Sequence, residues 1–270
     1  MVNINYKLET LKARLIELGS IAIAYSGGVD SNFLLKVAHD TLGDKVVAVT
    51  IHAMMHSNRE IKESIEYANE FNVEHIVVDM DKFEVDEFIK NTPKRCYYCK
   101  RVVFTKIKEI AKSRDIKYVA DGTNLDDLGD YRPGLKALEE LDIVSPLKEC
   151  GLTKKDIREL SQLMNLKTYK KPAFACLATR IPYGTEITND RLRMIEKSEE
   201  YLVELGFKQF RVRIYDNIAR IEIENNEINK CFDTDVLTKI NNKLKNIGFS
   251  YVTLDMAGYK MGSMNDVLKS

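Results

Sequence analysis

Residues 21 to 31, Ile-Ala-Ile-Ala-Tyr-Ser-Gly-Gly-Val-Asp-Ser, run an apolar strand straight into a double-glycine turn and then a helix. Gly27 and Gly28 permit a tight turn with no Cβ between backbone and ligand. A helix opening near Ser31 aims unpaired N–H groups and its positive dipole end at an anion. The turn therefore reads as a cradle for a phosphate chain, with Ser26, Gly27, Gly28, Asp30 and Ser31 as nucleotide-binding residues. The Gly-x-x-x-x-Gly-Lys-Ser/Thr pattern with its phosphate lysine is not what stands here. With no loop lysine to neutralise charge, Asp30 is placed to act on the phosphates together with Mg2+, which prefers oxygen ligands.

The surrounding pattern fixes the fold class. Runs at 21–25, 45–51, 75–79, 117–120 and 142–145 read as strands, separated by helices such as 31–42 and 58–71. Alternation of this kind predicts an α/β domain with a parallel sheet, helices on both faces and the ligand at the carboxyl ends of the strands. Asp121-Gly122-Thr123-Asn124 follows the fourth such run. Near Lys170-Lys171-Pro172 the character changes, and the sequence divides into 1–170, a nucleotide domain, and 171–270, a smaller α+β domain. The latter reads helix (188–205), strand (209–215), strand (218–224), helix (234–246), strand (250–255).

The chain has 41 basic and 41 acidic residues, so no global field recruits nucleic acid. The sequence carries no long apolar run, so a cytoplasmic protein with no membrane partner is expected. Its five cysteines are an odd number, which full disulfide pairing cannot use, and reactive thiols or metal ligands become the live options.

Asp121, Gly122, Thr123, Asn124 and Asp127 gather in one loop the oxygens that a magnesium-phosphate site uses, although an ordinary turn has the same composition. His52 and His56 are taken as loop residues after the second strand. Cys96-Tyr-Tyr-Cys99, flanked by Lys94-Arg95 and Lys100-Arg101, puts two thiols at a helix start among positive charges that favour thiolate. A redox pair, a zinc site and an iron–sulfur site compete for it. The pair does not follow a first strand, and no second Cys-x-x-Cys or zinc-spaced His pair accompanies it. An incomplete thiolate set suits a cluster with one open iron, and Cys176 supplies a third sulfur. Arg211 and Arg213 alternate on one strand and share a face, so with Arg180 they are placed to clamp a phosphate. Cys150 and Cys231 read as structural.

Six segments together resemble one family over essentially the whole chain. They are the Ser-Gly-Gly-Val-Asp-Ser loop, Gly-Thr-Asn-Leu-Asp-Asp-Leu-Gly-Asp-Tyr-Arg-Pro-Gly (122–134), Cys-Leu-Ala-Thr-Arg-Ile-Pro-Tyr-Gly (176–184), Phe-Arg-Val-Arg-Ile (210–214), Ala-Arg-Ile-Glu-Ile (219–223) and Gly-Tyr-Lys-Met-Gly-Ser (258–263). The loop is similar to that of the PP-loop ATPases, which split ATP into AMP and pyrophosphate, and the full set resembles the LarE family. That resemblance implies a sulfur transferase of nickel-pincer nucleotide biosynthesis, acting on a pyridinium mononucleotide whose two carboxylates are adenylated and then converted to thiocarboxylates. It implies Lys154 as a phosphate-directed lysine, Arg180, Arg211 and Arg213 near substrate phosphate, and Glu200 and Glu222 near Cys176. Some members sacrifice the cysteine matching Cys176. Others hold a [4Fe-4S] cluster on three cysteines, matching Cys96, Cys99 and Cys176 here, and take sulfide or another sulfur donor. The second form is the one expected, and the protein is expected to be a homo-oligomer. Rival readings are a tRNA-thiolating PP-loop enzyme, an amide-forming ligase that would leave the cysteines idle, and a non-catalytic nucleotide or iron–sulfur scaffold.

Overall fold

A computed structural model describes residues 4–80, 83, 85–129, 133–172, 175–260 and 262–268. Asp130, Tyr131 and Arg132 of the 122–134 motif, Ala173 and Phe174 ahead of Cys176, and Met261 lie outside the described residues. The chain divides into two compact units, Met1–Val85 with Cys96–Phe174, and Asp86–Arg95 with Ala175–Ser270.

In the first unit, strands β1 (Ile21–Ala24), β2 (Val46–Ala53), β3 (Glu74–Met80) and β4 (Tyr118–Ala120) form a parallel sheet in the order β3-β2-β1-β4. The alternating strand residues explain its two covered faces. Ile21, Ile23, Val46 and Ala48 enter a core with α1 (Ile4–Leu18), α2 (Val29–Leu42), α7 (Pro146–Glu149) and α8 (Lys154–Leu163). Ala22, Val47, Val49 and Ile51 face the other way, against Phe104, Ile107 and Ala111 of α5 (Arg95–Lys112) and Leu138 of α6 (Gly134–Glu140). Each fully buried Leu or Phe contributes about 1.5–3 kcal/mol relative to exposure, so these apolar stripes fix which helix covers which face. Helix α3 (Asn58–Glu70) starts at Ser57, whose hydroxyl accepts from Glu60 N.

Two expectations change here. The run at 142–145 is not a strand: Val144 makes a single parallel bridge to Ala120, donating to Val119 O and accepting from Asp121 N. Asp142 at φ +53° precedes that bridge. Ser145 N then donates to Glu149 Oε1 as Pro146 opens α7, so pairing cannot continue. His52 lies within β2, where Nδ1 sits 2.7 Å from Asp79 Oδ1.

The second unit is a three-stranded sheet, order β5-β6-β7. Strands β5 (Phe210–Tyr215) and β6 (Ile218–Ile223) pair antiparallel across a two-residue turn with Asp216 at φ +51°. β7 (Tyr251–Leu254) adds parallel to β6 after the crossover helix α10 (Thr234–Ile247). Helix α9 (Asn189–Glu204) buries Leu192, Ile195, Ser198, Glu199 and Leu202. The short α4 (Asp86–Ile89) belongs to this unit through Asn91. The Asn91 amide donates to Ile181 O, Pro182 O and Thr185 O, its carbonyl Oδ1 accepts from Arg95, and Ile187 N donates to Ile89 O.

Candidate active site

The strand order places β1 and β4 at the point where the chain reverses direction across the sheet, and ligands of parallel α/β folds bind in the crevice beyond such strand ends. The loops after β1 and β4 meet there. Gly122 approaches so closely that a Cβ on it would lie 3.1 Å from Ser31 N and 3.4 Å from Asp30 Cβ. Gly27 has φ +65°, and a Cβ there would meet Ser64 of α3 at 2.9 Å. Gly28, the N-cap of α2, has no side chain with which to cap the helix, and its first N–H groups stay aimed at the crevice. Ser26 and Ser31 close the turn, their hydroxyls 3.2 Å apart and Gly28 N donating to Ser26 Oγ at 3.3 Å.

Lys154, the first residue of α8, sets its ammonium 2.5 Å from Asp30 Oδ2, while Asn124 Nδ2 donates to Asp30 Oδ1 at 3.4 Å. A Thr153–Asp156 capping box starts that helix, and Lys154 N donates to Asp126 Oδ2, so the lysine is fixed at its backbone as well. The remaining acids of the β4 loop turn inward. Asp121 accepts from Thr123 N, Thr123 Oγ1 and Ser145 Oγ, and Asp127 accepts from Asn124 N.

Two lysines that sequence reading did not assign to the phosphate site also enter this crevice. Lys100 Nζ stands 3.7 Å from Asp121 Oδ2, which ties the first turn of α5, bearing Cys96 and Cys99, to the β4 loop. A Cβ on Gly134 would meet Lys100 Cδ at 2.8 Å, so a side chain there would displace the lysine stem. Lys171, largely buried, donates to Gly27 O at 3.0 Å and pairs with Glu63 at 2.6 Å. It was legible only as part of the Lys-Lys-Pro boundary. Tyr25, Asn32 and Thr168 brace the same turn: Tyr25 Oη donates to Asn32 Oδ1, and Asn32 Nδ2 to Thr168 Oγ1. His56 is half-buried just after β2, its Nδ1 accepting from Ala53 N, and desolvation with the nearby His52 pushes its pKa down to about 4.

The second unit gathers its own constellation. Arg180, Arg211 and Arg213, which sequence reading grouped as a phosphate clamp, are all buried. Arg213 forks onto Glu222 at 2.5 and 2.9 Å and also donates to Thr179 O and Ser263 Oγ. Arg220 shares Glu222. Arg211 donates to Phe210 O, and its guanidinium lies over the Tyr259 ring. Burial, with Arg180 nearby, pushes the Arg211 pKa down to about 10. The α9 acid that enters this cluster is Glu199, next to the expected Glu200, which is half-buried. A periodicity count would have found it, because Leu192, Ile195, Glu199 and Leu202 form one stripe. Burial pushes the Glu199 carboxyl up, but Arg180 by charge and hydrogen bond, with Arg211, leaves it below the usual carboxylate range.

Cys176, half-buried, precedes the 3-10 turn Leu177–Arg180. Cys96 is exposed and Cys99 half-buried, three apart on α5 and therefore on one face. Among the described residues no group of three or more His, Cys, Asp or Glu is gathered to hold a metal ion. Cys150 is half-buried, its thiol pushed up to about 11 by burial and Glu149, and Cys231 is buried. No helix among the described residues is long and apolar enough to cross a membrane.

Comparison with known proteins agrees with this geometry. The argininosuccinate synthase N-terminal HUP domain profile matches residues 20–166. The chain is 36% identical over 269 residues to the pyridinium-3,5-bisthiocarboxylic acid mononucleotide synthase of Lactiplantibacillus plantarum, covering 99% of this chain and 97% of the relative. It is 39% identical over 262 residues to an uncharacterized protein of Synechocystis sp., covering 97% and 98% respectively. An uncharacterized protein of Methanocaldococcus jannaschii is 35% identical over 243 residues, 89% of this chain and 90% of that one. With a phosphate cradle at the sheet's switch point and these full-length likenesses, the chain belongs to the LarE family of ATP-using sulfurtransferases, built on a PP-loop HUP domain.

Proposed function

We propose that this enzyme adenylates the carboxylates of pyridinium-3,5-biscarboxylic acid mononucleotide and replaces a carboxylate oxygen with sulfur. The observation that carries the reading is the Ser26–Ser31 turn facing Lys154 across Asp30, a phosphate site with its cation on a neighbouring helix. The Gly28 end of α2 and Lys154 would hold the phosphate chain of ATP, and the Asp30 carboxylate would hold the accompanying Mg2+, which would neutralise phosphate charge. A substrate carboxylate oxygen attacks the α-phosphorus, the α–β bridging bond breaks, and pyrophosphate leaves. A sulfur nucleophile then attacks the acyl carbon, and AMP leaves with the former carboxylate oxygen, so ATP cleavage has converted a poor leaving group into a good one. The buried guanidiniums of Arg211 and Arg213, on one strand face, suit an anionic mononucleotide.

The donor chemistry of Cys96, Cys99 and Cys176 fits a [4Fe-4S] cluster: three thiolate sources, two of them on one helix face. When bound, such a cluster supplies an open iron able to carry an extra sulfide. Replacing any one of the three by Ala should then remove iron and sulfur transfer together, whereas Cys150→Ala and Cys231→Ala keep both. Active, iron-free protein whose intact mass shows Cys176 converted to dehydroalanine would replace the cluster with a sacrificial donor and leave the adenylation chemistry standing.

A further inference from the structure

We infer that Arg180 is a positioning residue that aims Cys176, not a ligand of the substrate phosphate. Its side chain is 1% exposed, and all three guanidinium nitrogens are engaged. On one side Nε and Nη2 fork onto Glu199 at 2.9 and 2.8 Å. On the other, Nη1 donates to Ala175 O at 2.6 Å, Cys176 O at 3.2 Å and Thr179 Oγ1 at 2.9 Å. Glu199 is itself anchored, accepting from Val212 N at 3.0 Å on β5. The chain of contacts therefore runs from the edge strand β5, through a buried carboxylate and a planar guanidinium, to the carbonyl of the reactive cysteine.

That carbonyl is where the geometry converges. Cys176 O also accepts from Thr179 N at 2.9 Å and from Thr179 Oγ1 at 2.8 Å, so three donor contacts hold one peptide oxygen. A peptide plane held at its oxygen, with the preceding carbonyl also held, restricts the backbone torsions of Cys176 and thereby the direction of its Cα–Cβ bond. Arg180 suits this task because its rigid fork serves the carboxylate and the two carbonyls at once, which a lysine ammonium cannot. The alternative, that Arg180 is merely a buried structural ion pair, needs Glu199 but gives no reason for Nη1 to meet two successive carbonyls beside the cysteine.

The inference rests on the proposed role of Cys176, and the experiment separates the two. Arg180→Lys keeps a cation beside buried Glu199 and removes the fork, whereas Arg180→Ala strands that carboxylate and risks the fold. In the holoenzyme, Arg180→Lys should keep the KM for the pyridinium substrate, read by pyrophosphate release, within about twofold, while the ratio of thiocarboxylate formed to pyrophosphate released drops at least tenfold. In cluster-free protein, the iodoacetamide alkylation rate at Cys176, read by peptide mass, should change at least threefold, with Cys96 and Cys99 unchanged. An unaltered ratio and alkylation rate, or a tenfold rise in KM with an unaltered ratio, would overturn the inference. If wild-type enzyme released no pyrophosphate with this substrate, the proposed function would fall, and the alkylation comparison would still decide what Arg180 does.

Discussion

Gly27→Ala adds one methyl group to the turn that opens the phosphate cradle, and its cost has two independent sources. At φ +65° a residue with a Cβ is strained by about 1–2 kcal/mol. The new Cβ would also stand 2.9 Å from both Ser64 Cα and Ser64 Cβ, and Ser64 is fully buried on α3, so the helix backbone must move. Overpacking of that kind costs about 1–3 kcal/mol. The reduced freedom of the unfolded chain offsets about 0.4–1 kcal/mol, leaving a net loss of about 1–4 kcal/mol. Gly28→Ala is the matched control. Its φ of −76° suits any residue, and the nearest atom to the added Cβ is the rotatable Ser26 Oγ at 3.2 Å. Stability should change by less than about 0.5 kcal/mol. ATP affinity should nevertheless fall, because the methyl intrudes where the anion approaches. Urea unfolding and calorimetric titration with a non-hydrolysable ATP analogue read the two effects. Equal stabilities for Gly27→Ala and wild type, or an equal loss in both variants, would refute the reasoning.

Asp30→Asn should leave stability within about 1 kcal/mol, since the Lys154 pair is partly exposed, but lower pyrophosphate release by about 100-fold in a coupled assay. Arg213→Met breaks a buried pair and should cost about 3–5 kcal/mol in urea unfolding, with Arg213→Met/Glu222→Gln recovering part of the loss. His56 and His75 are held down to about 4, both chiefly by burial, while the unfolded chain titrates near 6.5. Unfolded protein therefore binds protons that folded protein refuses, so stability should fall from about pH 6.5 to pH 4 by about 2–3 kcal/mol for His56 and by less for His75, whose ring is more open to screening by solvent. A flat urea midpoint across that window would contradict the assignment.

The phosphate turn was legible because its chemistry is local: two glycines, an acid and two serines in six residues need no distant partner to declare a cradle. The four parallel strands and every element of the second sheet were also readable, since apolar period alone marks them. What sequence reading missed depends on contacts between distant residues. Helix α1 carries a clear Leu11, Leu15, Leu18 stripe but stands ahead of the first motif. Segment 86–95 joins the second unit through the Asn91 amide and backbone bonds at Ile89 and Asn91, which leave no periodic trace. Lys171 was read as part of the domain boundary and Lys100 as a charge favouring the neighbouring thiolates, and their contacts with Gly27 O and Asp121 come from residues distant in sequence. The arginines were recognised but not their burial, because their carboxylate partners come from a different helix and a different strand.

The central claim is that this PP-loop cuts ATP between the α and β phosphates to activate a substrate carboxylate. Phosphorus NMR of anaerobic enzyme with ATP, Mg2+ and sulfide, with and without pyridinium-3,5-biscarboxylic acid mononucleotide, tests it most directly. The account predicts AMP and pyrophosphate in equal amounts only when the pyridinium carboxylate is present, and its conversion to a thiocarboxylate. ADP and phosphate as products, or pyrophosphate released by tRNA or by a carboxylate with ammonia but not by this substrate, would contradict it.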